Sequence, residues 1–243
     1  MNSQKNGTLV VLMNVPKAVF YKSTYMELQN KHRIIENFHL FIKNDSFPCV
    51  GAKGALAKGN IRIMMAAHLG HSDDDKEILS FAYHFIKEYR ESNKGSHSLV
   101  IIFKEPVNID EDAFEDMMWQ RLQSLRDLDA MQFTYDKRVS SYPTSPSFSF
   151  SLMEEAFFII ALHPFSSRMA RRFSYPALVF NPHAQFEKLR RIGSYERMKK
   201  LIRKRDIELS GSINPMLTDF GAASEAFQYS GRKHNHQWKC PLH

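Results

Sequence analysis

A run of seven apolar residues, Ala156 to Leu162 (AFFIIAL), is the longest strongly apolar stretch in this chain of 243 residues. A helix that crosses a bilayer needs about 20 such residues, so this run is too short to span a membrane. A short apolar run between polar residues is typical of a strand that is buried on both faces. The sequence therefore predicts a strand over this run and no membrane segment.

The segments around this strand mix the strand and helix periods without strict alternation. A hairpin through Glu154 and Glu155 is predicted to join the apolar strand to a preceding one, and Ser166 and Ser167 are candidate caps of a short basic helix. Further strands are predicted at 60–67, 98–103 and 147–151, and helices at 31–43, 72–90, 111–127 and 194–209. Residues 176–191 are predicted to form a strand that leads into a helix. This order favours a single α+β domain over residues 1–243, with a mixed or antiparallel sheet flanked by helices and a loosely ordered extension at residues 1–22.

Cysteine usage bears on the compartment of the protein. Cys49 and Cys240 lie almost at opposite ends of the chain, and the N-terminus has no pattern of a signal peptide. We therefore expect a cytoplasmic protein with reduced thiols.

The net charge of +7 is concentrated between Arg168 and Arg205, where twelve basic residues stand against two acidic ones. Such a stretch can follow nucleic-acid phosphates, but aromatic residues are not interleaved with it as a stacking surface requires, so nucleic acid is an unlikely partner. Anionic groups of a cofactor are the competing explanation for the same charge.

Simple catalytic signatures are absent from the sequence. It contains no C-x-x-C, H-E-x-x-H, G-x-S-x-G or phosphate-loop motif, which argues against zinc, hydrolase and nucleotide sites of those kinds. His163 ends the apolar strand, Arg168 and Arg171 follow it, His183 stands where a strand meets a helix, and Cys49 lies in a Pro-flanked turn. An imidazole or thiolate for iron, arginines for two propionates, and abundant Phe and Met are the components of a heme site.

Six blocks in order resemble the YqcI/YcgG family, which is described by its FPC and CPF motifs. The blocks are FPCVGAKGAL, FSFSL, LHPFSSRMARRF, ALVFNPHAQFEKLR, IRKRDIELSGSINPML and FQYSGR with WKCPL, and they run from about Phe38 to the C-terminus. Leu242 replaces the Phe expected in the last motif. The family includes heme-dependent enzymes that hydroxylate a nitrogen of arginine or related guanidines, and many of its members have no assigned substrate.

The resemblance implies an enzyme that uses heme b as an N-hydroxylase of the monooxygenase type. We expect His163 to hold the iron, with His183 and Cys49 as alternatives, Arg168 and Arg171 to bind the propionates, and His183 to act as a proton donor. No flavin or nicotinamide fingerprint occurs, so an external electron donor is expected beside a small cationic substrate. A heme sensor or carrier without catalysis and a basic nucleic-acid-binding module are the alternatives, and the sequence leaves the oligomeric state open.

Overall fold

The structure, a computed structural model, describes residues 17–92, 95–235 and 237–243. Residues 38–243 form one compact unit, and the described residues before Phe38 belong to a second unit. Helix α1 (Lys17–Lys43) accounts for the described part of residues 1–37. Of the extension that we expected at residues 1–22, residues 1–16 lie outside the described residues, and residues 17–22 are helical.

Five strands form one mixed sheet in the unit of residues 38–243. They are β1 (Ile61–His68), β2 (Ser98–Glu105), β3 (Phe150–Leu152), β4 (Glu155–Leu162) and β5 (Ala177–Pro182), in the spatial order β1-β2-β5-β4-β3. The β1–β2 pair is parallel, and the other three pairs are antiparallel. The predicted α+β class and mixed sheet are confirmed, and the apolar run forms β4, which is paired on both edges.

Helices cover this sheet and follow local sequence signals. They are α2 (Val50–Ala57), α3 (Asp75–Glu91), α4 (Glu111–Ala130), α5 (His183–Arg191), α6 (Tyr195–Ser210) and α7 (Ala226–Tyr229). Asp110 caps α4 by accepting a bond of 2.8 Å from the Ala113 amide, and Gly211, with φ of 74°, ends α6. Among the described helices, none contains a stretch long and apolar enough for a bilayer crossing.

Two predicted elements differ in the structure. In place of a short basic helix, residues 169–171 form a single 3-10 turn, because the Ser166 hydroxyl accepts from the Arg168 amide and Ser167 bonds to Glu111. The hairpin turn lies at Met153 and Glu154, whose φ values of 48° and 58° are unusual for residues with side chains. The Asp129 carboxylate accepts from the Met153 amide and fixes this turn from outside.

The two faces of the sheet have different roles because side chains alternate along each strand. Phe157, Ile159 and Ala161 of β4, with Leu178 and Phe180 of β5, belong to the main hydrophobic core together with α3 and α4. Phe158, Ile160 and Leu162, with Val179 and Asn181, point to the other face and line a cavity. This second face therefore positions the candidate site.

Candidate functional site

A cavity of about 290 Å³ lies between the second face of the sheet and the elements that cover it. Its floor is formed by β2, β4 and β5, and its walls come from the last turns of α1, the start of α2, and helices α5 and α6. Most of the lining is apolar, including Phe41, Phe158, Ile160, Val179 and Ile202. Mostly apolar lining with a few polar groups is the usual composition of a small-molecule site.

Cys49 lies on the wall of this cavity at the N-cap position of α2. Its Sγ accepts a hydrogen bond of 3.4 Å from the Ala52 amide. Burial raises the pKa of the Cys49 thiol, although the amides of Ala52 and Gly51 act in the opposite direction. The group is therefore a neutral thiol by itself, placed where amide N–H groups would support a metal-bound thiolate.

His183 also lines the cavity, as the first residue of α5, and only 2% of it is exposed. Its Nδ1 lies 3.5 Å from the Glu187 carboxylate and its Nε2 lies 3.5 Å from the Glu225 carboxylate. The ring of Phe220 lies 4.3 Å from the imidazole, centroid to centroid. The imidazole of His183 therefore lies between two carboxylates, one beside each ring nitrogen.

Arg168 and Arg171 line the cavity too, but they have different partners. The Arg168 Nη2 donates to the Asp206 carboxylate at 2.6 Å and to the Ser212 carbonyl at 2.8 Å. The Arg171 guanidinium donates to the carbonyls of Tyr229 at 2.6 Å and Gln228 at 2.7 Å, and no carboxylate among the described residues pairs with it. Burial, and then the neighbouring Arg168, lower the pKa of Arg171 to about 10. Arg171 is thus a buried cation without an ion-pair partner in the described part of the chain.

Basic and aromatic side chains of α5 and α6 complete the lining. The Arg190 guanidinium lies 4.4 Å from the centre of the Tyr195 ring, a cation–π contact. Lys199 pairs with Asp219 at 3.1 Å, and Arg203 lies 3.7 Å from the same carboxylate. Part of the basic stretch between Arg168 and Arg205 therefore lines the cavity.

His163, the iron ligand that we expected first, does not line the cavity. It is fully buried on the opposite face of the sheet, where its ring stacks on Phe114 at 4.2 Å. Its Nε2 lies 3.8 Å from Glu111, and neither ring nitrogen has a hydrogen-bond partner. The structure therefore places Cys49, His183, Arg168 and Arg171 in the lining of the cavity. The His163 amide donates to the Arg171 carbonyl at 3.1 Å, but the His163 side chain lies on the other face of the sheet.

Sequence reasoning did not find the buried carboxylate of Glu225, which lines the cavity and is 5% exposed. Its Oε2 accepts a bond of 2.8 Å from the hydroxyl of Ser149, a residue 76 positions earlier in the chain. Only the alternation of serine and aromatic residues around Ser149 pointed to that segment. No local signal marked Glu225.

Among the described residues, no group of three or more His, Cys, Asp or Glu side chains is placed to hold a metal ion. Heme iron differs from such sites because the porphyrin supplies most of its ligands. One protein side chain on the wall of the cavity is sufficient to hold the iron.

Comparison with known proteins places the chain in a family. The "Uncharacterized protein YqcI" of Bacillus subtilis is 28% identical over 203 residues, which cover 81% of this chain and 75% of that protein. No solved structure matches the chain. The sequence profile of the YqcI/YcgG family matches residues 38–243, the whole unit that contains the sheet and the cavity. The chain belongs to the YqcI/YcgG family.

Proposed function

We propose that the cavity binds heme b and that the protein hydroxylates a nitrogen of a small cationic substrate, such as arginine or a related guanidine. The observation that carries this proposal is the Cys49 thiol, which lies at the start of α2 on the wall of an apolar cavity with arginines in the same lining. The family resemblance indicates the reaction. The geometry of the cavity supports the cofactor.

The residues fit heme in three respects. Apolar side chains such as Phe158, Ile160 and Val179 suit the porphyrin faces. Cys49 offers one soft ligand to iron. Arg171 and Arg190 have no carboxylate partner among the described residues and are suited to propionates, whereas Arg168 is already paired with Asp206. When bound, the heme would supply oxygen activation and oxygen-atom transfer to nitrogen, with electrons from an external donor.

Cys49 replaces His163 as our first candidate for the iron ligand. Two backbone amides at the start of α2 favour its thiolate, while burial keeps the free thiol neutral and unreactive. A metal cation would supply the charge that makes the thiolate the stable form. His183 remains the alternative ligand, since it lines the same cavity.

His183 is well placed to deliver protons into the cavity. Glu187, whose side chain is 39% exposed, lies 3.5 Å from Nδ1, so the outer end of the ring is in reach of solvent protons. The inner end, Nε2, faces the buried Glu225. A histidine held between an accessible and a buried carboxylate can pass a proton from solvent to a reacting group.

Titration with hemin tests this proposal, with Cys240→Ala as the matched control for Cys49→Ala. We expect wild type and the control to give the same Soret band, and their ferrous–CO complexes to show the strong red shift of thiolate ligation. Cys49→Ala should lose that shift, and His183→Ala should keep it but lose turnover. A spectrum that Cys49→Ala leaves unchanged, or that His183→Ala abolishes, would contradict the assignment of Cys49.

Turnover separates an enzyme from a heme sensor or carrier. The loaded protein, supplied with arginine, oxygen and a reductant, should give a product heavier by one oxygen atom in mass spectrometry. Stable heme binding without such a product across a set of guanidines and amines would favour the non-catalytic alternative.

A further inference from the structure

The charge pairs of the cavity single out one carboxylate. Three carboxylates, those of Asp206, Asp219 and Glu225, line it. Asp206 is paired with Arg168 at 2.6 Å, and Asp219 is paired with Lys199 at 3.1 Å. Glu225 has no Lys or Arg within 4.0 Å among the described residues, and its one ion-pair contact is with His183 at 3.5 Å.

The hydrogen bonds of Glu225 are also incomplete. The Ser149 hydroxyl donates to Oε2 at 2.8 Å, but Oε1 has only the distant contact with the His183 ring. A buried carboxylate is costly unless strong donors satisfy both of its oxygens. Among the described residues, Oε1 therefore has no close donor and can accept from a cationic group bound in the cavity.

The support around Glu225 is rigid, as a binding group requires. Ser149 is fully buried, and its hydroxyl also lies 3.1 Å from the Phe157 carbonyl of β4. Glu225 directly precedes α7, whose buried Tyr229 hydroxyl accepts from the Phe150 amide at 3.0 Å. The carboxylate is thus held against the inner part of the sheet.

The rings beside Glu225 suit a planar cation. Phe220 and Phe158 line the same cavity, and Phe220 contacts the His183 ring that borders the carboxylate. Aromatic faces attract cations, and a carboxylate pairs with a guanidinium through two parallel bonds. We infer that Glu225, held by Ser149, is the specificity residue that binds the cationic group of the substrate. This assignment rests on the proposed function, because it takes the substrate to be a guanidine or amine.

L-Arginine and L-citrulline are suitable probes, since citrulline is a neutral compound of nearly the same shape. Binding of each to the full-length protein is measured by calorimetry, and the heme content of every sample is measured by absorbance. We expect wild type to prefer arginine, and Glu225→Gln to weaken arginine binding about 10- to 100-fold while citrulline binding stays within about 3-fold. Asp112→Asn, the control at an exposed carboxylate outside the cavity that pairs with Arg232, should leave both affinities unchanged.

The ratio of the two affinities is measured within one protein, so partial unfolding of a variant does not change it. Glu225→Asp, which keeps the charge, should retain the preference for arginine. The inference fails if Glu225→Gln keeps the wild-type ratio, if Asp112→Asn loses it instead, or if wild type does not prefer arginine. A protein that shows the expected ratios without a Soret band would overturn the heme proposal and leave Glu225 as the cation site. A Soret band together with a Glu225→Gln variant that keeps the wild-type ratio would support the heme proposal and overturn the role of Glu225.

Discussion

Replacing Gly231 by alanine tests how tightly the C-terminal segment holds the cavity wall. Gly231 has a φ of +82°, and an added Cβ would lie 2.5 Å from Cδ, 2.6 Å from Nε and 2.9 Å from Cζ of Arg171. That guanidinium cannot move freely, because it is buried and donates to the Gln228 and Tyr229 carbonyls. The variant must therefore displace a buried cation.

The expected cost has two parts. An alanine in the left-handed region costs about 1 to 2 kcal/mol. Displacing Arg171 weakens at least one charged hydrogen bond, which contributes about 1.5 to 3 kcal/mol. The free energy of unfolding should therefore fall by about 2.5 to 5 kcal/mol.

Urea unfolding of matched variants separates the two parts. Gly193 has a φ of +69° and nothing within 4 Å of its Cβ position, so Gly193→Ala should cost only the backbone strain. In an Arg171→Ala background, Gly231→Ala should cost no more than Gly193→Ala, because the Cδ, Nε and Cζ atoms that the added Cβ would meet are absent. Equal costs for Gly231→Ala and Gly193→Ala in the wild-type background would refute the contact with Arg171.

Three further predictions concern stability. Glu154→Gly should raise the free energy of unfolding by about 0.5 to 1 kcal/mol in urea, since glycine tolerates the φ of 58° in the hairpin turn, and a loss would show that the turn is unstrained. Burial tends to raise the pKa of Glu111, but the nearby His163 and two bonds from Ser167 outweigh it and lower that pKa to about 2. Because the pKa is lower in the folded state, the Glu111 carboxylate stabilises the protein at pH values above the unfolded pKa of about 4.5. Glu111→Gln should therefore lower the free energy of unfolding at pH 7. The difference in free energy of unfolding from wild type should shrink as the pH falls from 4.5 toward 2. A difference that does not depend on pH would contradict this assignment. Arg121→Met leaves the buried Asp75 carboxylate without its cation and should cost about 3 to 5 kcal/mol, whereas Arg62→Met at the exposed pair with Glu88 should cost less than about 1 kcal/mol; similar costs would contradict the burial of the first pair.

Local patterns were sufficient for most of the elements. The apolar run predicted β4, and the apolar periodicity of residues 111–127 predicted α4, because burial of a strand or of one helix face leaves a regular trace in the sequence. The 3-10 turn at 169–171 was missed because its geometry depends on bonds from Ser167 to Glu111, 56 residues away. A serine before a basic run gives the same local signal whether the run forms an α-helix or a 3-10 turn.

The position of the His163 side chain outside the cavity has a simple geometric cause. Side chains alternate between the two faces of a strand, so odd-numbered and even-numbered residues of β4 face opposite sides. The odd-numbered residues Phe157, Ile159 and Ala161 face the hydrophobic core, and His163 continues that series. The even-numbered residues Phe158, Ile160 and Leu162 face the cavity. Both faces of β4 are apolar, so the sequence does not show which one borders a site. His183 directly follows β5 and continues the alternate series of Val179 and Asn181, so it lines the cavity with them.

The polar network of the site depends on long-range contacts that no short pattern contains. Ser149 and Glu225 are 76 positions apart, and Arg168 and Asp206 are 38 apart. Each pair is formed only when the C-terminal half folds back onto the sheet. The sequence showed the charge of the basic stretch, but it did not show which basic residues line the cavity and which lie on the surface.

Hemin titration of wild type and Cys49→Ala, followed by the spectrum of the ferrous–CO complex, tests the proposed site most directly. We expect wild type to bind one heme per chain with a thiolate-type spectrum, and Cys49→Ala to lose that spectrum while Cys240→Ala keeps it. A wild-type protein that stays colourless after titration, or a Cys49→Ala spectrum identical to that of wild type, would contradict a thiolate-held heme in this cavity.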